Sequence, residues 1–145
     1  MARDRRRQLR PQYRRELGRR EHLRCLSGAI SGSTFGVTKT GAGTVILSHD
    51  SGYTGPTKGS AGALVVSGSI SGTTHVAVTT GGTLLLSGAG ATNNKLNTTP
   101  TATFGGGKLD LGGMTSSLDQ QVGALTLSSS SVLDFGTLAA GNTFR

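Results

Sequence analysis

The sequence predicts an all-β chain built as a parallel β-helix or β-solenoid of short, glycine-cornered rungs. Three observations carry that expectation. Short apolar runs recur along the chain, each alternating with period two. They return about every 20 residues, a spacing that suits a solenoid rung. Glycine contributes 24 of 145 residues while aromatics make up only 4 % and tryptophan is absent, so apolar burial falls to Leu, Val and Ile in small pieces.

The chain divides in two by composition. Residues 1–25 form an arginine-rich head, and residues 26–145 form the repeat region, expected as an incomplete stack. The head holds ten arginines within residues 1–24 against Asp4, Glu16 and Glu21, a net charge of +7; the body carries a net +1. Leu9, Tyr13 and Leu17 recur at four-residue spacing, which fits one face of a helix. Pro11 suits a first turn and Gly18 weakens the middle. The head is therefore expected as a short basic helix from about Pro11 to Leu26, or as a disordered segment. Arginine pairs with phosphate, so the head implies non-specific nucleic-acid binding at low salt. Cys25 stands alone, and an internal disulfide is excluded.

In the body the runs begin at Thr44 ("TVILS"), Ala63 ("ALVVSG"), Thr83 ("TLLLSG"), Lys108 ("KLDLGG"), Ala124 ("ALTLSS") and Val132 ("VLDFG"). Their first apolar residues are Val45, Leu64, Leu84, Leu109, Leu125 and Leu133. Two positions on stand Leu47, Val66, Leu86, Leu111, Leu127 and Phe135. Alternation places each pair on the inner face and the residue between them on the outer one. Those middle residues are Ile46, Val65 and Leu85, then Asp110, Thr126 and Asp134. The outer face is thus apolar early in the chain and polar later. The leading residues are spaced by 19, 20, 25, 16 and 8 positions. A second spacing of eight links Val37 to Val45, Val76 to Leu84 and Leu125 to Leu133, so each rung is read as two strands joined by a tight corner. The corners are "TKTGAG", "TTGG" and "SSSS". Looser turns lie between, among them "SHDSGYTGP" and "GATNNKLNTTP", where Asn93, Asn94 and Asn97 suit turn capping. Two-strand units with short turns also form hairpins, which leaves an antiparallel sheet or incomplete sandwich as the alternative.

The body resembles the autotransporter-associated β-strand repeat, also called the passenger-associated transport repeat. The resemblance rests on Lys39, Thr40, Gly41 and Gly43 with the strand Val45 to Leu47, then Tyr53, Thr54 and Gly55, then Gly62, Leu64 and Val66. It covers about Leu26 to Gly72 and loosens from Thr73 onward. The chain departs from the family at Pro56, Thr57 and Lys58, where a threonine-valine piece is usual. An inward Lys58 is costly, so Lys58 is expected to point outward or its strand to be poorly formed. The resemblance implies a non-catalytic structural piece of an exported bacterial passenger, displayed at the cell surface or secreted. Its partners would be neighbouring β-helix rungs of a larger passenger, with surface glycans as the adhesin alternative.

The sequence offers no strong chemical motif. Gly41 and Gly43 lack the lysine of a phosphate-cradling loop, and Ile46 stands where a dinucleotide fingerprint needs a third glycine. Ser48, His49, Asp50 and Ser51 read as a polar turn, because no nucleophile elbow surrounds them. Asp110 and Asp134 share one outward repeat position, the only acidic pairing that suggests a cation or glycan contact. No catalytic, cofactor or metal residue is assigned, and no enzymatic activity is expected. No leader of the usual apolar length is legible, and no run approaches the roughly 20 apolar residues of a spanning helix.

Overall fold

The computed structural model describes residues 22–88, 95–96, 100–114, 119–137 and 143–144. They form a parallel β-solenoid of about five turns with no helix among them. The first side is a six-stranded sheet. In order it stacks β1 (Leu23–Leu26), β3 (Thr44–Leu47), β5 (Gly62–Val66), β7 (Gly82–Ser87), β9 (Lys108–Gly113) and β12 (Val132–Asp134). The second side stacks β2 (Val37–Lys39), β4 (Thr57–Gly59), β6 (His75–Thr79), β8 (Thr101–Gly105) and β11 (Leu125–Ser129). Every strand pair in both sheets is parallel, so hairpins do not build these two sheets.

The registers align Val45, Leu64, Leu84, Leu109 and Leu133 in one column. Rungs are therefore 19, 20, 25 and 24 residues long. Leu125 does not belong to that column. It lies on the second side, opposite Ala102, and is followed eight residues later by Leu133 on the first. The sequence spacings of 16 and 8 are two parts of one 24-residue rung.

A third side was not legible as a structural element. Its larger part is single bridges and hydrogen bonds. Gly52 donates to the Ile30 carbonyl, Ile70 donates to the Lys95 carbonyl and pairs in parallel with Leu96, and the Leu96 amide donates to the Gln120 side chain. β10 (Asp119–Gln120) and β13 (Thr143–Phe144) close it as a two-stranded parallel ladder. The turn "SHDSGYTGP" belongs here. It sends Tyr53 fully into the interior, where its hydroxyl and that of Thr57 lie 2.7 Å apart. The Thr57 hydroxyl meets that of Thr73 at 3.0 Å, and Thr73 donates to the Gly55 carbonyl at 2.9 Å. A buried hydroxyl must find such partners, and this chain ties two successive rungs together at one corner. Asn93, Asn94 and Asn97, expected as turn caps, lie outside the described residues.

The core runs along the axis between the three sides. Leu47, Leu64, Val66, Leu84, Leu86, Leu109 and Leu111 are buried from the first side. Val76, Val78, Ala102 and Phe104 are buried from the second, and Tyr53, Ile70, Leu96 and Val122 from the third. Val45, Leu133 and Phe135 pack against this core while partly open. Leu125 and Leu127 occupy inward positions opposite Ala102 and Phe104 yet stay exposed, because β11 is the edge of its sheet among the described residues.

Two expectations about particular residues meet the structure directly. Lys58 points outward from a well-formed strand between Thr57 and Gly59, which are buried. Leu23–Leu26, read from sequence as the end of a basic helix, is instead strand β1, paired in parallel with β3. Alternation explains the switch. Arg24 and Leu26 fall in register with Val45 and Leu47, so the ladder captures these four residues whatever their helical spacing. The rest of the expected helix lies outside the described residues.

Candidate functional site

The corner between β2 and β3 is the stretch with the most unusual local chemistry. Period-two alternation from Val37 puts Lys39 on the inner face, and Lys39 is only 6 % exposed. Its ammonium Nζ donates to the carbonyl oxygens of Thr40 at 2.9 Å, Gly41 at 2.6 Å and Ala61 at 3.1 Å. Three donors meet three acceptors, which satisfies the charge as burial requires. The first two acceptors belong to the lysine's own corner and the third to the rung above it. Gly41 has φ +73°, the left-handed region that glycine enters without a Cβ clash. The corner thus turns oxygens toward an internal cation. A phosphate cradle would turn amide hydrogens toward an anion, so the "TKTGAG" corner has the opposite polarity.

Lys95 repeats the device on the third side. It is 1 % exposed, and its Nζ donates to the carbonyl of Ser67 at 2.6 Å and of Gly68 at 3.2 Å. Burial pushes its pKa below the usual lysine value, against a smaller upward pull from Asp50. Neither lysine was singled out as buried by the sequence reading, although the alternation Val37, Thr38, Lys39 carried the signal for the first.

The outer surface of the first side changes along the axis as the sequence suggested. Ile46, Val65 and Leu85 stand in register as a half-buried aliphatic row. The row then becomes Asp110 and Asp134, again in register. Lys108 sits between the two carboxylates, 2.8 Å from Asp110 and 2.9 Å from Asp134. Each aspartate also accepts an amide hydrogen two residues ahead, from Gly112 at 2.8 Å and Gly136 at 2.9 Å. Bonding to Asp110 and Asp134 raises the Lys108 pKa, and bonding to Lys108 and Gly136 lowers that of Asp134. The pair is therefore a repeated turn motif neutralised in part by one lysine. Among the described residues, no three His, Cys, Asp or Glu side chains gather into a metal-binding group.

The polar turn after β3 brings Ser48 and His49 within 3.3 Å through the serine hydroxyl and Nδ1. That hydroxyl also donates to the Leu26 carbonyl at 3.0 Å. Ser51 is buried and accepts the Ile30 amide at 3.1 Å. Asp50 exerts its charge on Lys95. Ser48 and Ser51 are thus spent on joining rungs. His75, on the second side, meets the Thr101 hydroxyl at 2.7 Å across the ladder. At the leading end of the stack an open cavity of about 280 Å³ is lined by His22, Arg24, Lys39 and Val45 together with the Thr40–Gly43 corner. It lies at the leading edge of the described rungs.

The fold and these contacts define a β-solenoid scaffold whose polar side chains chiefly connect one rung to the next. No family model matches the chain, and no curated protein and no solved structure matches it.

Proposed function

We propose that the chain is a non-catalytic structural segment of an exported bacterial passenger protein, supporting passenger folding and display at the cell surface. One observation supports this reading above the rest: buried polar groups are committed to carbonyls and hydroxyls of neighbouring rungs. Lys39, Lys95, Thr57 and Thr73 act this way, and Tyr53 joins through Thr57. A surface organised for catalysis would instead aim such groups at a substrate. The resemblance of Lys39–Val66 to passenger-associated repeats supplies the export half of the proposal. Its partners would be further rungs of the same kind, stacked on the open edges at each end.

The test is display. The 145-residue chain is placed between a signal sequence and an outer-membrane β-barrel translocator in a Gram-negative host. Intact cells are then treated with protease. Export with a protease-resistant β-rich core at the surface is the expected result. Retention inside the cell, while a known passenger in the same cassette is exported, would refute the proposal.

A further inference from the structure

One turn of the stack, residues 57–73, runs through β4, β5 and Ile70 of the third side. Each of its three corners is held by a buried polar side chain. Between β4 and β5 the Ala61 carbonyl accepts from Lys39 of the preceding turn at 3.1 Å. After β5 the Ser67 and Gly68 carbonyls accept from Lys95 of the following turn at 2.6 Å and 3.2 Å. At the third corner the hydroxyls of Thr57 and Thr73, the first and last residues of the turn, lie 3.0 Å apart, and Tyr53 of the preceding turn meets Thr57 at 2.7 Å. Lys39, Lys95, Tyr53, Thr57 and Thr73 are all buried. The turn is thus clasped from both neighbouring turns, and its own two ends are tied to each other.

Apolar stacking by itself favours the turn that follows. β6 and β7 are five and six residues long, against three and five for β4 and β5. They bury Val76, Val78, Leu84 and Leu86, whereas β4 and β5 bury Leu64 and Val66. The corner ties of that following turn are of another kind. Thr74 donates to the Thr54 carbonyl at 3.1 Å and Thr80 to the Gly105 carbonyl at 3.2 Å, both in exposed positions. Such bonds are exchanged for bonds to water at little net cost. Bonds from a charged donor are about twice as strong as neutral ones, and a buried cation parted from its acceptors is strongly unfavourable.

We propose that residues 57–73 are the stability core of the solenoid, the last turn to open, and that Lys39 and Lys95 are the two halves of the clasp that makes them so. Opening this turn breaks both lysine ties and the hydroxyl chain together. Opening the turn after it breaks the Lys95 tie and leaves that of Lys39 closed. A single rung cannot hold its shape alone, and a clasped turn gives its neighbours a fixed surface on which to stack.

The experiment is native-state hydrogen exchange of the 145-residue chain in mild denaturant, read segment by segment, since exchange reports the opening equilibrium of each part of a fold. Amides of β5 should be the slowest, at least about tenfold slower than those of β7. Lys39→Met should speed exchange in β5 by about tenfold and leave β7 within about twofold. Lys95→Met should speed exchange in both, and Thr80→Ala should leave β5 slowest. A slowest segment in β7 would overturn the proposal. So would one common rate for all segments, no protected segment, or Lys39→Met acting equally on β5 and β7 or on neither. Where a lysine variant fails to fold, the order of exchange in the unaltered chain still decides. None of these outcomes depends on export, so they stand apart from the display test.

Discussion

The stacking geometry makes a sharp prediction about where a leucine matters. Leu84 lies at the centre of the first side, in register with Leu64 before it and Leu109 after it, and is 2 % exposed. Leu84→Ala removes three carbons from a site walled on both sides by other rungs. Neither neighbour can move inward without breaking its own ladder, so the cavity persists. Large-to-small changes of this kind cost about 2–5 kcal/mol, and about 3 kcal/mol is expected here. Leu127 has the same chemistry and also points inward, but it is 53 % exposed at an edge. Truncating it forfeits about half of a leucine's burial and leaves no enclosed void, which places the cost at about 1 kcal/mol. At about 2–4 °C per kcal/mol for a chain of this size, the two variants should lower the melting temperature by about 6–12 °C and less than about 4 °C. Thermal unfolding followed by circular dichroism reads both. Equal shifts would refute the assignment of Leu127 to an open terminal rung and of Leu84 to an enclosed one.

Three further outcomes follow from the corners and the charged groups. Gly62→Ala should destabilise by more than about 2 kcal/mol in chemical denaturation, because Gly62 has φ +65° and an added Cβ would strike the carbonyls of Gly43 and Gly41; Gly28→Ala, where a Cβ meets nothing within 4 Å, serves as the control. Burial lowers the Lys95 pKa in the folded chain, so between that lowered value and the ordinary 10.5 the unfolded chain binds more protons and stability climbs with pH. Denaturant midpoints should therefore rise toward pH 9.5 and the rise should flatten in Lys95→Met; the range stops there because burial raises the Tyr53 pKa above 10.0, which reverses the slope at higher pH. Lys108→Ala should return the Asp134 pKa upward toward the normal carboxylate value, measured by carboxyl-carbon NMR titration, since bonding to Lys108 is the largest cause of its depression.

The inner columns were readable from the sequence because alternation and recurrence agree there. Val45, Leu64 and Leu84 each open a run with the same period, and a ladder in register keeps them on one face. The greasy-to-polar change from Leu85 to Asp110 was equally plain, and of the two alternatives for Lys58 the outward one held. The third side was not readable because each rung contributes too few residues to show a period. Its signal was a single bulky apolar residue in each polar stretch: Ile30, Tyr53, Ile70, Leu96 and Val122. Leu125 carried two signals at once. "ALTLSS" has the pattern of a first-side strand, while its spacing of eight to Leu133 matches Val37 and Val76, and pairing with β8 bears out the second.

Buried lysines expose a deeper limit of pattern reading. A lysine in a polar, glycine-rich turn is ordinarily solvated, and nothing in "TKTGAG" announces that its carbonyls converge. The cause is the corner itself. A tight turn between two strands leaves carbonyl oxygens that neither sheet can pair. Each must then find a donor or lose a hydrogen bond. One ammonium with three hydrogens answers three such oxygens at once, as Lys39 does for Thr40, Gly41 and Ala61. The acceptors lie on two rungs, so the bond forms only when both are in place. The glycines that make the corner possible and the lysine that satisfies it are parts of one solution, and its chemistry is directed inward along the stack.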